Sequence, residues 1–168
     1  MKWLLIGGAV LMGLIGLIVL IGAVLPQSHV ASVARDYDAD PAAVWRNITD
    51  VERFAEWRPG LQQAERLTAD GGKEGWREKT KHDAMTIEVT ESVPNQRLVT
   101  RIADEGLPFG GTWTYELKPI DRGTRLTITE RGEVYNPVFR FVSRFVMGHT
   151  ATMETYHEGL AKRLATAK

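Results

Sequence analysis

Four side chains are placed to do chemistry: Glu78 in "GWREKTKH", Arg101 in "RLVTRIAD", Glu130 in "RLTITERG" and His149 in "VMGHTA". Residues two apart on a strand share a face. In the first stretch Trp76, Glu78 and Thr80 therefore oppose Arg77, Lys79 and Lys81, and the basic set has to be the solvated one, so Glu78 points inward. The same alternation turns Leu126, Ile128 and Glu130 inward, along with Trp113, Tyr115 and Leu117 of "TWTYELK". A carboxyl lodged among apolar groups is raised toward the range useful for general acid or base work. Two such carboxyls also need a cation or a proton. Arg101 is the expected cation, although its strand divides evenly between a Leu98, Thr100, Ile102 face and a Val99, Arg101, Ala103 face. His149 falls on the apolar stripe of a helical pattern, where it serves either as a core histidine or as a ligand contact and proton donor.

Other chemistries lack residues. Without cysteine the chain has no disulfide framework, thiolate metal site or thiol nucleophile. Glu154 and His157 have the i, i+3 spacing of a carboxylate-bridged metal helix, but the second Glu-x-x-His is missing, so neither a metal nor another cofactor is expected. Glycine-rich dinucleotide, phosphate-loop and serine-hydrolase motifs are absent. Twenty-one Lys and Arg balance twenty-one Asp and Glu, so no overall field gathers nucleic acid. The glycosylation-type triplet at Asn47 to Thr49 falls at a helix junction, which argues against its use.

The elements that must position these groups divide the chain at about residue 25. Trp3 to Leu25 is an unbroken run without a charge. At ~1.5 Å per residue it spans a bilayer core of roughly 30 Å, and it is too long for a cleavable signal, with no small-x-small site after it. Lys2 before the run predicts a cytoplasmic N-terminus and a single-pass protein whose remaining domain lies outside the cytoplasm. The reading is thus an anchor over 1–25, a linker over 26–30 and one domain over 31–168. That domain opens with a strand, "VASVARDYDA". Asp40-Pro41 then starts a short helix carrying Val44, Trp45 and Ile48, and a capping box from Thr49 to Glu52 starts a second bearing Val51, Phe54 and Trp57. Six further strand-like stretches, separated by turns such as "DGGK", "PNQ", "EGLPFGG" and "DRG", bring the antiparallel sheet to about seven strands. From Asn136 onward apolar residues recur at three- and four-residue steps, predicting one long closing helix.

This α+β order resembles the SRPBCC superfamily of START-like, Bet v 1-like helix-grip domains. Its phrases resemble the bacterial polyketide cyclase/dehydratase branch: Trp45 with "ITD" at Ile48 to Asp50, Trp57-Arg58, "GWREK", "LPFGGTW", "GTRLTITERGEV" and "NPVFRF", from about Ala31 to the C-terminus. The resemblance implies a curved sheet wrapped on the last helix, with the two short helices and their Trp45 and Phe54 plugging one end of an apolar chamber. On the inward faces derived above, the chamber is expected to be lined by Trp57, Trp76, Trp113, Tyr115, Phe139, His149 and Met153, with Glu78, Arg101 and Glu130 as its polar groups. The function this favours is a membrane-tethered domain holding a lipid or other hydrophobic small molecule. Two alternatives stay open: a cyclase/dehydratase-like enzyme using Glu78, Glu130 or His149, and an interaction domain with a filled core. Phe109 of "GLPFGG" and Phe141 of "NPVFRFVSRF" are expected to touch the membrane and frame a portal. Oligomeric state has no signal in the sequence.

Overall fold

A computed structural model of the chain describes residues 2–68, 74–81 and 83–166. The "DGGK" turn at 70–73 and His82 lie outside the described residues. Helix α1 covers Lys2–Val24, is long and apolar enough to cross a membrane, and buries only Gly22 against the rest of the chain.

Strand β1 (Ser28–Tyr37) begins sooner than its alternation suggested, so only 25–27 separate it from α1. Helix α2 (Pro41–Thr49) starts as its sequence requires: Asp40 is extended and its carboxylate accepts the Ala43 amide, with Pro41 in the first turn. The expected capping box does not form. Thr49 ends α2 with its hydroxyl donating to the Trp45 carbonyl, and a 3₁₀ turn (Val51–Arg53) leads into α3 (Phe54–Trp57).

Six strands follow: β2 (Leu61–Thr68), β3 (Glu74–Thr80), β4 (Ala84–Val93), β5 (Arg97–Ile102), β6 (Phe109–Ile120) and β7 (Gly123–Val134). All pairs are antiparallel in the order β1-β7-β6-β5-β4-β3-β2, so the first strand returns to close against the last. The stretch expected as the "GLPFGG" loop is partly strand, because Phe109 pairs with Val134 and Gly110 with Glu133. Bulges between Leu61 and Gln63 of β2 and between Val89 and Glu91 of β4 bend those strands.

The C-terminal segment is not one helix. Helix α4 (Pro137–Val142), capped by Asn136 on the Val138 and Phe139 amides, runs into a π-helical turn (Ser143–Met147). Gly148 then adopts φ 76° and ψ 161°, a conformation closed to residues with a Cβ, and α5 (Ala151–Thr166) starts only after this break. Apolar periodicity crossed this break because both halves carry apolar residues, though for different surfaces. The sheet grips α5 alone. Leu98, Tyr115, Leu117, Leu126 and Ile128 meet Met153, Tyr156, Leu160 and Leu164, while Val44, Ile48, Val51 and Phe54 close the end. Burying side chains of this kind is worth ~1.5–3 kcal/mol each, the main force holding sheet to helix.

Candidate functional site

Where α3 ends, its last turn brings a cation into the aromatic core. Arg58 follows Trp57, and the Pro59-Gly60 stop turns the chain toward β2, leaving the guanidinium between the rings of Phe54 and Tyr156, 5.1 and 5.3 Å from their centroids. Its Nη1 and Nη2 donate to the two oxygens of Glu78, and Trp76 Nε1 donates to Oε1 of the same carboxylate at 2.7 Å. Burial works against the Arg58 charge, but Glu78 outweighs it and holds the guanidinium protonated. Around the pair, Tyr115 and Tyr156 are both buried, and desolvation raises the pKa of each phenol.

Above this floor the aromatic core reaches solvent in an open cleft of about 320 Å³. It is lined by Arg58 and Pro59 after α3, Trp113 of β6, Met147 of the π-helical turn, and Ala151, Thr152, Thr155 and Tyr156 of α5. A second groove of about 430 Å³ runs outside the grip between β1 and α5, among Arg35, Glu154 and Glu158. Although larger, it is walled by solvated charges and does not reach the aromatic cluster, so the first is the better candidate for an apolar ligand.

At the cleft's edge Glu130 faces inward beside Trp113, its cross-strand neighbour. Desolvation raises the Glu130 pKa, against the opposing pull of Trp113 and of His149. The His149 ring stacks on that of His29 from β1, with centroids 3.8 Å apart. Burial lowers the pKa of both imidazoles, and the neighbouring His29 and Arg144 lower that of His149 further.

The structure thus brings together part of the expected set. Glu78 does turn inward, but its cation is Arg58. Arg101 lies on the outer face, half-exposed, and pairs with Glu88 of β4, because Leu98, Thr100 and Ile102 take the inner face of β5. Trp57, Trp76, Tyr115 and Met153 are core residues beneath the cleft, and Trp113 is its wall. Phe139 is 53% exposed on α4, away from the grip, and His149 sits in the break before α5 rather than within a helix. Phe109 and Phe141 are both half-buried, Phe141 against Phe145.

The core histidine is His157. Its Nε2 donates to the Val33 carbonyl at 3.2 Å, so Nδ1 accepts the Tyr37 hydroxyl at 2.7 Å. Asn47 is half-buried and its side chain is engaged, donating to the Ala43 carbonyl and accepting from Arg163. Among the described residues no group of three or more His, Asp or Glu is placed to hold a metal ion. Sequence reasoning named Arg58 only in the phrase Trp57-Arg58 and gave it no place in the site, since a residue just past a helix end has no periodicity to show its direction. Tyr156 falls among the apolar residues that recur from Asn136 onward, and that periodicity did not mark its place in the cleft.

Residues 28–167 match the family described as polyketide cyclase/dehydrase and lipid transport. Among solved structures, a START superfamily protein from Mycobacterium smegmatis is similar at 16% identity and a TM-score of 0.67, covering 83% of this chain and 99% of that one. The Zhui aromatase/cyclase from Streptomyces sp. R1128 is similar at 12% identity and a TM-score of 0.65, over 82% of this chain and 94% of its own. A protein from Thermus thermophilus is similar at 20% identity and a TM-score of 0.67, over 83% and 99%. At these identities the likeness is one of fold. No curated protein matches the chain.

Proposed function

This chain belongs to the polyketide cyclase/dehydrase and lipid transport family, and on that premise we propose that it holds a hydrophobic small molecule or a lipid chain in the Arg58–Trp113–Tyr156 cleft while α1 tethers it to a membrane. In this reading 1–25 is a single-pass anchor with its N-terminus in the cytoplasm and the domain on the other side. The observation that carries the proposal is the cleft itself, where a buried aromatic cluster opens to solvent over a fixed guanidinium. Apolar walls supply affinity, and Arg58 offers an oriented polar edge to an oxygen of the ligand. A space of about 320 Å³ is at the small end of ligand pockets, so it suits one acyl chain or a compact ring system rather than a whole two-chain lipid.

The test is native mass spectrometry of the full chain extracted in detergent. A small-molecule adduct is expected on the parent and lost in Ala151→Phe, which fills the cleft from the first turn of α5. A bare protein that also leaves an added naphthol unbound would favour the filled-core interaction domain. A second reading, proton transfer to a bound ligand, rests on the desolvated Glu130 carboxyl beside Trp113. It requires that Glu130→Gln retain the adduct yet change its chemical form.

A further inference from the structure

Helix α1 is not a free tether. Its one buried residue, Gly22, lies against α4 so closely that a Cβ there would fall 1.9 Å from the Pro137 carbonyl oxygen. Arg140 of α4 is itself buried. Its Nη1 donates to the carbonyls of Leu25 at 3.0 Å and Ala23 at 3.4 Å, and its Nη2 to that of Tyr135 at 3.1 Å. The last carbonyls of a helix have no partner within it, and a cation there also meets the negative end of the helix dipole. Arg140 therefore closes the end of α1 and fastens it to the domain. The Val134 amide, donating to the Gln27 carbonyl at 2.8 Å, holds the connection from the other side.

That fastening determines what the outer face of α4 and the π-helical turn can meet. Val138, Phe139, Phe145, Val146 and Met147 are 42–72% exposed, and Arg144 is the only exposed charge of 137–147. An apolar surface of this kind needs an occupant. Here the segment that carries it packs on the last turn of α1, Pro137 on Gly22 and Arg140 on the Ala23 and Leu25 carbonyls, so an α1 that spans a bilayer delivers it to the headgroup boundary.

We propose that α4 and the π-helical turn form a second membrane contact, locked to the end of α1 by Arg140, that sets the cleft's Met147 rim against the bilayer. The proposal rests on the reading of α1 as an anchor. Arg144 gives it a preference for anionic lipid. It also moves the membrane surface from Phe109 and Phe141, which are half-buried, to Phe139, Phe145, Val146 and Met147.

The chain has no cysteine, so single-cysteine variants report unambiguously. Full-length Phe145→Cys, carrying an environment-sensitive label and reconstituted in phosphatidylcholine–phosphatidylglycerol vesicles, is expected to be quenched by nitroxide lipids and shielded from iodide. A label in Lys118→Cys, toward the far end of β6, is expected to show the reverse. Adding Arg140→Ala, or Gly22→Leu as an independent way to loosen the joint, should remove most of the lipid quenching at 145 while the protein still resists alkaline carbonate. If the label at 145 meets iodide as freely as that at 118 in a carbonate-resistant protein, the second contact is overturned and the anchor stands. Quenching unchanged in both loosened variants overturns the lock. Release of the protein by carbonate overturns the anchor and the contact together.

Discussion

Truncating Arg58 to alanine removes the cation from a carboxylate that is almost wholly buried. The side chains of Arg58 and Glu78 are 19% and 7% exposed, low enough that solvent does little to screen their interaction. In the variant Glu78 keeps the Trp76 indole donor and loses both guanidinium bonds. Breaking a buried pair from one side costs about 3–5 kcal/mol, and the surviving Trp76 bond argues for the middle of that range, about 4 kcal/mol. For a chain of this size ~1 kcal/mol corresponds to roughly 3 °C, so thermal melting in mild detergent, followed by circular dichroism, should fall by about 12 °C. Arg58→Met combined with Glu78→Leu removes the charges together and should lie within about 2 kcal/mol of the parent, far better than the single variants imply. An Arg58→Ala protein melting within about 3 °C of the parent would refute the claim that the pair is desolvated. So would a double variant whose loss equals the sum of the two single losses.

Arg101→Ala, by contrast, should melt together with the parent in the same assay, since the Arg101–Glu88 pair sits on the outer face of the sheet. A large drop there would return Arg101 to the interior. Acid should weaken the fold through its imidazoles. Burial lowers the pKa of His29, His149 and His157 from the ordinary 6.5, so below that value the unfolded chain binds protons that the folded one does not, and stability declines as pH falls. Glu130, raised in the fold, works in the opposite direction, and Asn in place of both His29 and His149 should flatten the net decline between about pH 7 and 5.5. An equally steep decline in that variant would show that the stacked pair plays no part.

The alternation of "GWREKTKH", "TWTYELK" and "RLTITERG" was enough to turn Glu78, Glu130, Trp113 and Tyr115 inward, because strand geometry is local and three alternate basic positions cannot all be buried. The seven strands, the Asp40-Pro41 helix start and the uncharged run of α1 were legible for the same reason: each is set by neighbours within a few residues. Arg101 was misplaced because two inward carboxylates called for a cation and the alternation of its strand did not pick a face; pairing with β4 and packing on α5 chose the other one. The partner of Glu78 was beyond reach, since Arg58 stands twenty residues away on a helix end whose direction is a product of packing. Gly148 was visible as a residue in "VMGHTA", but whether it would end a helix depended on α4 finding α1 to lie against, with Gly22 and Arg140 forming the joint. Local periodicity specifies which elements form and which way they face. Where a cleft is left open, and which cation fills its floor, depends on contacts between residues far apart in the chain, and those exist only once the sheet has closed around α5.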